Sequence, residues 1–126
     1  MDGIPKMQNP VIRNSSDYKD RNGLLGKAIL IENEIVKIYT VSDKSKYVTA
    51  NVNIVNNTAL DVEVKLWVSE DDTPTEVDLI ESKIVLEPDA VYVRNYLILD
   101  KLESIFAQSN SNHVIIRIDG YDDRPN

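Results

Sequence analysis

Apolar and polar residues alternate with a period of two along most of this chain. Residues 47–56, YVTANVNIVN, set Val48, Ala50, Val52 and Ile54 on one side and Thr49, Asn51 and Asn53 on the other. That is the pattern of a half-buried strand. Residues 62–68, VEVKLWV, repeat it, with Val62, Val64, Leu66 and Val68 turned to a core and Glu63, Lys65 and Trp67 turned away. Shorter apolar segments at 27–31, 35–40, 82–86, 90–99, 102–107 and 113–119 complete the series, the one at 90–99 with an irregularity near Asn95. Turn formers separate them: Glu32-Asn33-Glu34, Ser42-Asp43-Lys44-Ser45, Asn56-Asn57-Thr58, Glu87-Pro88-Asp89 and the polar stretch 108–112. About eight short strands, spaced roughly every 8–12 residues, predict a sandwich or small barrel. No apolar stripe at 3.6-residue spacing is long enough for a core helix. The expected fold is all-β, a single antiparallel β-sandwich at residues 24–126.

Residues 1–23 break the pattern. They hold two of the five prolines, and their apolar residues, Ile4, Met7, Val11 and Ile12, follow no period. This composition predicts an extended N-terminal arm. Two readings stand side by side: a frayed terminus, or an arm that orders against a neighbouring subunit.

At 126 residues the chain is long enough to bury a core without a disulfide or a metal. It contains no cysteine, which removes disulfides, thiolate nucleophiles and cysteine-ligated zinc. The net charge of -7 argues against nucleic-acid binding, which draws its affinity from phosphate neutralisation. The polar, proline-broken start is not expected to serve as a signal peptide, and no apolar run is long enough for a membrane-spanning helix.

The densest chemistry is EDDTPTEVDLIE, residues 70–81, with six carboxylates. It lacks the glycine and the alternating ligands of an EF-hand, which leaves only a looser calcium site as a metal reading. It offers no enclosed carboxylate pair for acid–base work. A structural reading serves better: Pro74 holds Thr73 extended, and Thr75 with Asp78 makes a capping box for one helical turn, after which Leu79 and Ile80 drop into the core. His113 is the only histidine and starts a strand, where a structural role is the ordinary one. No serine elbow and no phosphate-cradling glycine loop occurs. No catalytic residue, metal ligand or cofactor site is expected, and the chain reads as a non-enzyme.

Trp67 stands on the polar side of its strand. Either it covers a sheet edge or packs under a loop, or it is an exposed aromatic anchor. Tyr92, Arg94 and Tyr96 alternate in the same manner. If both strands shared a sheet, these four residues would form one patch.

The order of these pieces resembles a group of small tailed-bacteriophage virion proteins with a β-sandwich fold. The carrying features are YVTANVNIVNNTALDVEVKLWVS, the T-P-T of Thr73-Pro74-Thr75, Glu81, Leu86-Glu87-Pro88, the aromatic-rich VYVRNYLIL, and the closing Arg117-Ile118-Asp119-Gly120-Tyr121. They span residues 26–122. The resemblance implies a structural protein of the virion, present in the host cytoplasm during assembly. The expected role is capsid decoration or cementing of the major capsid protein, with a tail, neck or fibre attachment as the alternative. Other virion subunits, or further copies of the chain, would be its partners. Ile4, Met7, Val11, Ile12, Trp67, Tyr92, Arg94 and Tyr96 are the expected contact residues. A cellular carbohydrate- or protein-binding module is the rival class, with Trp67 and the tyrosines as stacking platforms.

Overall fold

The computed structural model describes residues 21–125. They form eight strands: β1 (Arg21–Leu30), β2 (Val36–Thr40), β3 (Tyr47–Asn56), β4 (Val62–Ser69), β5 (Leu79–Leu86), β6 (Val91–Asp100), β7 (Ser104–Ser109) and β8 (Val114–Asp123). One 3-10 turn, Glu76–Asp78, precedes β5. The strands make two four-stranded sheets, β1-β8-β3-β6 and β2-β7-β4-β5, and every pairing is antiparallel.

The pairing follows one rule. β1 pairs with β8, β2 with β7, β3 with β6 and β4 with β5. The first half of the chain therefore meets the second half in reverse, as in one long hairpin. Rolling that hairpin adds the contacts of β3 with β8 and of β4 with β7. The product is a jelly roll, an eight-stranded double sheet of two Greek keys.

The core lies between the sheets. Val48, Ala50, Val52 and Ile54 of β3 face Val62, Val64 and Leu66 of β4, and all seven are fully buried. These are the residues whose alternation marks them from sequence. Glycine sets two close approaches. A Cβ on Gly26 would lie 2.6 Å from the carbonyl oxygen of Ile38, so β1 and β2 can draw together along one side of the sandwich only without a side chain there. Gly120 in β8 has φ +150, and a Cβ there would come 2.0 Å from the Thr49 carbonyl oxygen of β3.

The sandwich expected from the sequence is the fold observed. β1 starts at Arg21, earlier than the apolar segment at 27–31 suggests and ahead of the expected boundary at residue 24. β5 starts at Leu79 rather than 82. β7 runs over Ser104–Ser109. His113 does not start a strand but sits in the turn before β8, with φ +65, where its carbonyl accepts the Asn57 amide. Ile4, Met7, Val11 and Ile12 lie outside the described residues. Among the described residues, no helix is long and apolar enough to cross a membrane.

Candidate interaction surfaces

The acidic stretch connects β4 to β5 and folds back over the outer face of the β2-β7-β4-β5 sheet. Thr75 and Asp78 join at the start of the turn as the sequence predicts: the Thr75 amide and Oγ1 donate to the Asp78 carboxylate at 2.8 and 3.3 Å, and the Asp78 amide closes the turn on the Thr75 carbonyl at 3.0 Å. The bond from the Thr75 backbone holds the Asp78 carboxyl below its usual range. Glu70, Asp71 and Glu76 are exposed, and Asp72 meets Lys37 at 3.3 Å. Among the described residues, no three histidine, cysteine or acidic side chains gather as a metal site.

Trp67 is under that loop. It pairs across the sheet with Phe106 on one side and Leu79 on the other. Neither Trp67 nor Phe106 belongs to the central core, yet they are only 8% and 2% exposed. Lys37 lies 5.7 Å from the Phe106 ring centre, within cation–π range. Trp67, Pro74, Thr75, Glu76 and Leu79 line a shallow cleft of about 350 Å³. Alternation correctly puts Trp67 on the outer face, but a second, small apolar cluster covers it, so it is not an exposed anchor. Leu79 belongs to that cluster, while Ile80 packs on the central core.

Tyr92 and Arg94 turn inward. Their partners across the ladder are Ile54 and Val52, both core residues. At the open side of the sandwich they reach Glu81 of β5: the Tyr92 hydroxyl donates to Glu81 Oε2, and Arg94 Nη1 binds the same oxygen at 2.7 Å. The clasp ties the two sheets together where β5 and β6 run side by side. Burial pushes the Tyr92 phenol above the usual tyrosine range, and the Glu81 carboxylate pushes it further. Tyr92's share of the clasp's stability is therefore whole below the ordinary tyrosine value of about 10 and is lost as pH rises through the raised folded value. Tyr92→Phe should remove that alkaline dependence from the melting temperature, measured against wild type across the same pH series. Glu81→Ala should cost about 1–2 kcal/mol in chemical denaturation, because it strands a half-buried hydroxyl and guanidinium.

No family model matches the chain. No curated protein matches it either.

Tyr96 departs from the alternation. β6 carries one residue more than β3 between the Ala50–Leu97 and Val52–Arg94 pairs. Asn95 and Tyr96 together oppose Asn51, whose side chain accepts the Tyr96 amide at 3.2 Å. Tyr96 takes φ +62 and is 80% exposed. The bulge turns it to the outer face of the β1-β8-β3-β6 sheet, away from Tyr92 and Arg94. Since Trp67 stands on the other sheet, the four-residue aromatic patch does not exist.

Sequence reasoning missed two features. Asp122 is buried and accepts bonds from Ser45 Oγ and from Arg124 Nε at 2.9 Å, which pins the end of β8 to the turn between β2 and β3. The second is the outer face that carries Tyr96. In register across β1, β8, β3 and β6 run Ile29, Ile115, Val55 and Val91, an unbroken aliphatic row. Ile29 and Val91 are 62% and 53% exposed. Along β6 the exposed Val93, Tyr96 and Ile98 extend the apolar surface. The signal was present in the odd positions of each strand, but only the pairing register brings them into one row.

Proposed function

We propose that this chain is a non-enzymatic structural protein of a tailed-bacteriophage virion that binds the major capsid protein as a decoration or cement subunit. The observation that carries the reading is the unbroken aliphatic row on an outer sheet face of an otherwise acidic domain. Contiguous exposed apolar side chains mark a protein that assembles with other subunits, copies of itself included, while the arm is the expected contact with the capsid. The jelly roll agrees with the resemblance, since capsid domains are among the proteins built this way, although lectins and cupins share it. The carbohydrate-binding alternative loses two of its platforms, since Trp67 is under a loop and Tyr92 is held by Glu81, and Tyr96 stays exposed without them.

The arm is the expected tether. Because β1 begins at Arg21, truncation belongs before that residue. Deleting residues 1–20 should leave the melting temperature nearly unchanged and abolish co-sedimentation with particles that lack the native protein. Full binding by the truncated chain would remove the arm from the reading. Failure of the full-length chain to co-sediment would count against the decoration role itself.

A further inference from the structure

The outer face of the β1-β8-β3-β6 sheet has a property that the apolar row alone does not convey. All of its charges except Asp100 lie in one half. On β1 and β8 the outward residues include Lys27, Arg117, Asp119 and Asp123, whereas β3 presents Tyr47, Thr49, Asn51, Asn53 and Val55. β6 presents Val91, Val93, Tyr96 and Ile98, with Asp100 at its far end.

We propose that this face binds a second copy of the chain, about a two-fold axis parallel to the strands and between β8 and β3. Such an axis lays β1 over the partner's β6 and β8 over the partner's β3 while keeping each row in register. The aliphatic row then meets itself reversed: Ile29 stands over the partner's Val91, and Ile115 over the partner's Val55. Eight aliphatic side chains close into a small core between the copies. The charged half falls on the half whose one charge, Asp100, stands at its far end. Lys27 meets the partner's Val93, Arg117 the partner's Asn53, Asp119 the partner's Asn51, and Asp123 the partner's Tyr47. No like charges face each other, which matters for two copies that each carry a net charge of -7. Lys27 lies on an edge strand, from which its ammonium reaches water. Arg117 keeps its own Asp119 at 3.6 Å.

The size is adequate. Four strands of ten residues cover about 19 by 33 Å, or roughly 600 Å². A stable interface of ordinary size takes about 800 Å² from each partner, and side chains at the rim add to the sheet's own footprint. Isologous two-fold contacts are the commonest form of self-association.

Light scattering of the full chain at high micromolar concentration should give the mass of two copies. Ile29→Glu and Val91→Glu stand at exposed positions, so they should melt near wild type while weakening the dimer by about tenfold or more. Because the chain has no cysteine, the axis can be read directly. Ile29→Cys and Val91→Cys, each prepared alone and then mixed, should give a covalent dimer with a short bis-maleimide, since stacked sheets lie about 10 Å apart. Each variant alone should stay uncoupled, because the axis separates identical residues by a further 14 Å or so across the sheet. A monomeric wild type, a dimer indifferent to both glutamates, or self-coupling of either single variant would overturn the proposal. So would dissociation on deleting residues 1–20, which would make the arm the occupant of this face.

Discussion

Gly120→Ala should be the most damaging single methyl in this protein, at a cost of about 3–5 kcal/mol. Two effects add. The residue holds φ +150, a backbone region that a side chain populates only under strain of about 1–3 kcal/mol. The new Cβ would also sit 2.0 Å from the Thr49 carbonyl oxygen, with the Ala50 Cα at 3.0 Å. Both neighbours are backbone of β3, the strand that pairs with both β6 and β8. They cannot swing aside as a side chain could, and relief means parting the ladder, comparable to overpacking a core. Denaturant titration of purified Gly120→Ala checks this. Gly23→Ala provides the contrast: its φ of +97 carries strain, but nothing lies within 4 Å of the added Cβ, so the loss should be clearly smaller.

Leu66→Ala should cost about 2–5 kcal/mol, as truncations of fully buried leucines do. Leu66 is 0% exposed and belongs to the central core. It stands on β4 between Ala107 of β7 and Glu81 of β5, so no flexible loop is beside it to refill the space. Lys65→Ala, one residue away and outward, should change stability by less than about 0.5 kcal/mol. Urea melts of both variants give the comparison. The reverse order would mean that β4 is in the wrong register by one residue, since a single step exchanges the two faces.

The features legible in the sequence were those encoded locally. The alternation of β3 and β4 names their core residues because a pleated strand has a period of two. The pairing of Thr75 with Asp78 is a four-residue pattern and formed as read. Features that depend on partners were less accessible. Alternation puts Trp67 on the right face, but its cover comes from the folding-back of the 70–79 stretch, which has no periodic signature. Alternation groups Tyr96 with Tyr92 and Arg94; the irregularity expected near Asn95 is real, and its one extra residue reverses the face of everything after it. The start of β1 was obscured by Gly23 and Gly26, which look like breakers. Gly26 is instead where β2 comes closest. The aliphatic row could not be read at all, since Ile29, Val55, Val91 and Ile115 become neighbours only through pairings between distant strands.

The candidate surfaces are consistent with a scaffold that docks through a face. The clasp of Tyr92, Arg94 and Glu81 and the buried Asp122 hold the two sheets and the chain's end in place. Their bonds are made within the domain and on its inner side, away from the outer face of β1-β8-β3-β6.

Gold-conjugated antibody against this chain, applied to purified virions of the proposed phage source, tests the proposed assignment to a virion most directly. The account predicts label spread over the head. Label confined to the neck, baseplate or fibres would keep the protein in the virion but contradict the decoration role, and unlabelled particles would contradict the assignment altogether.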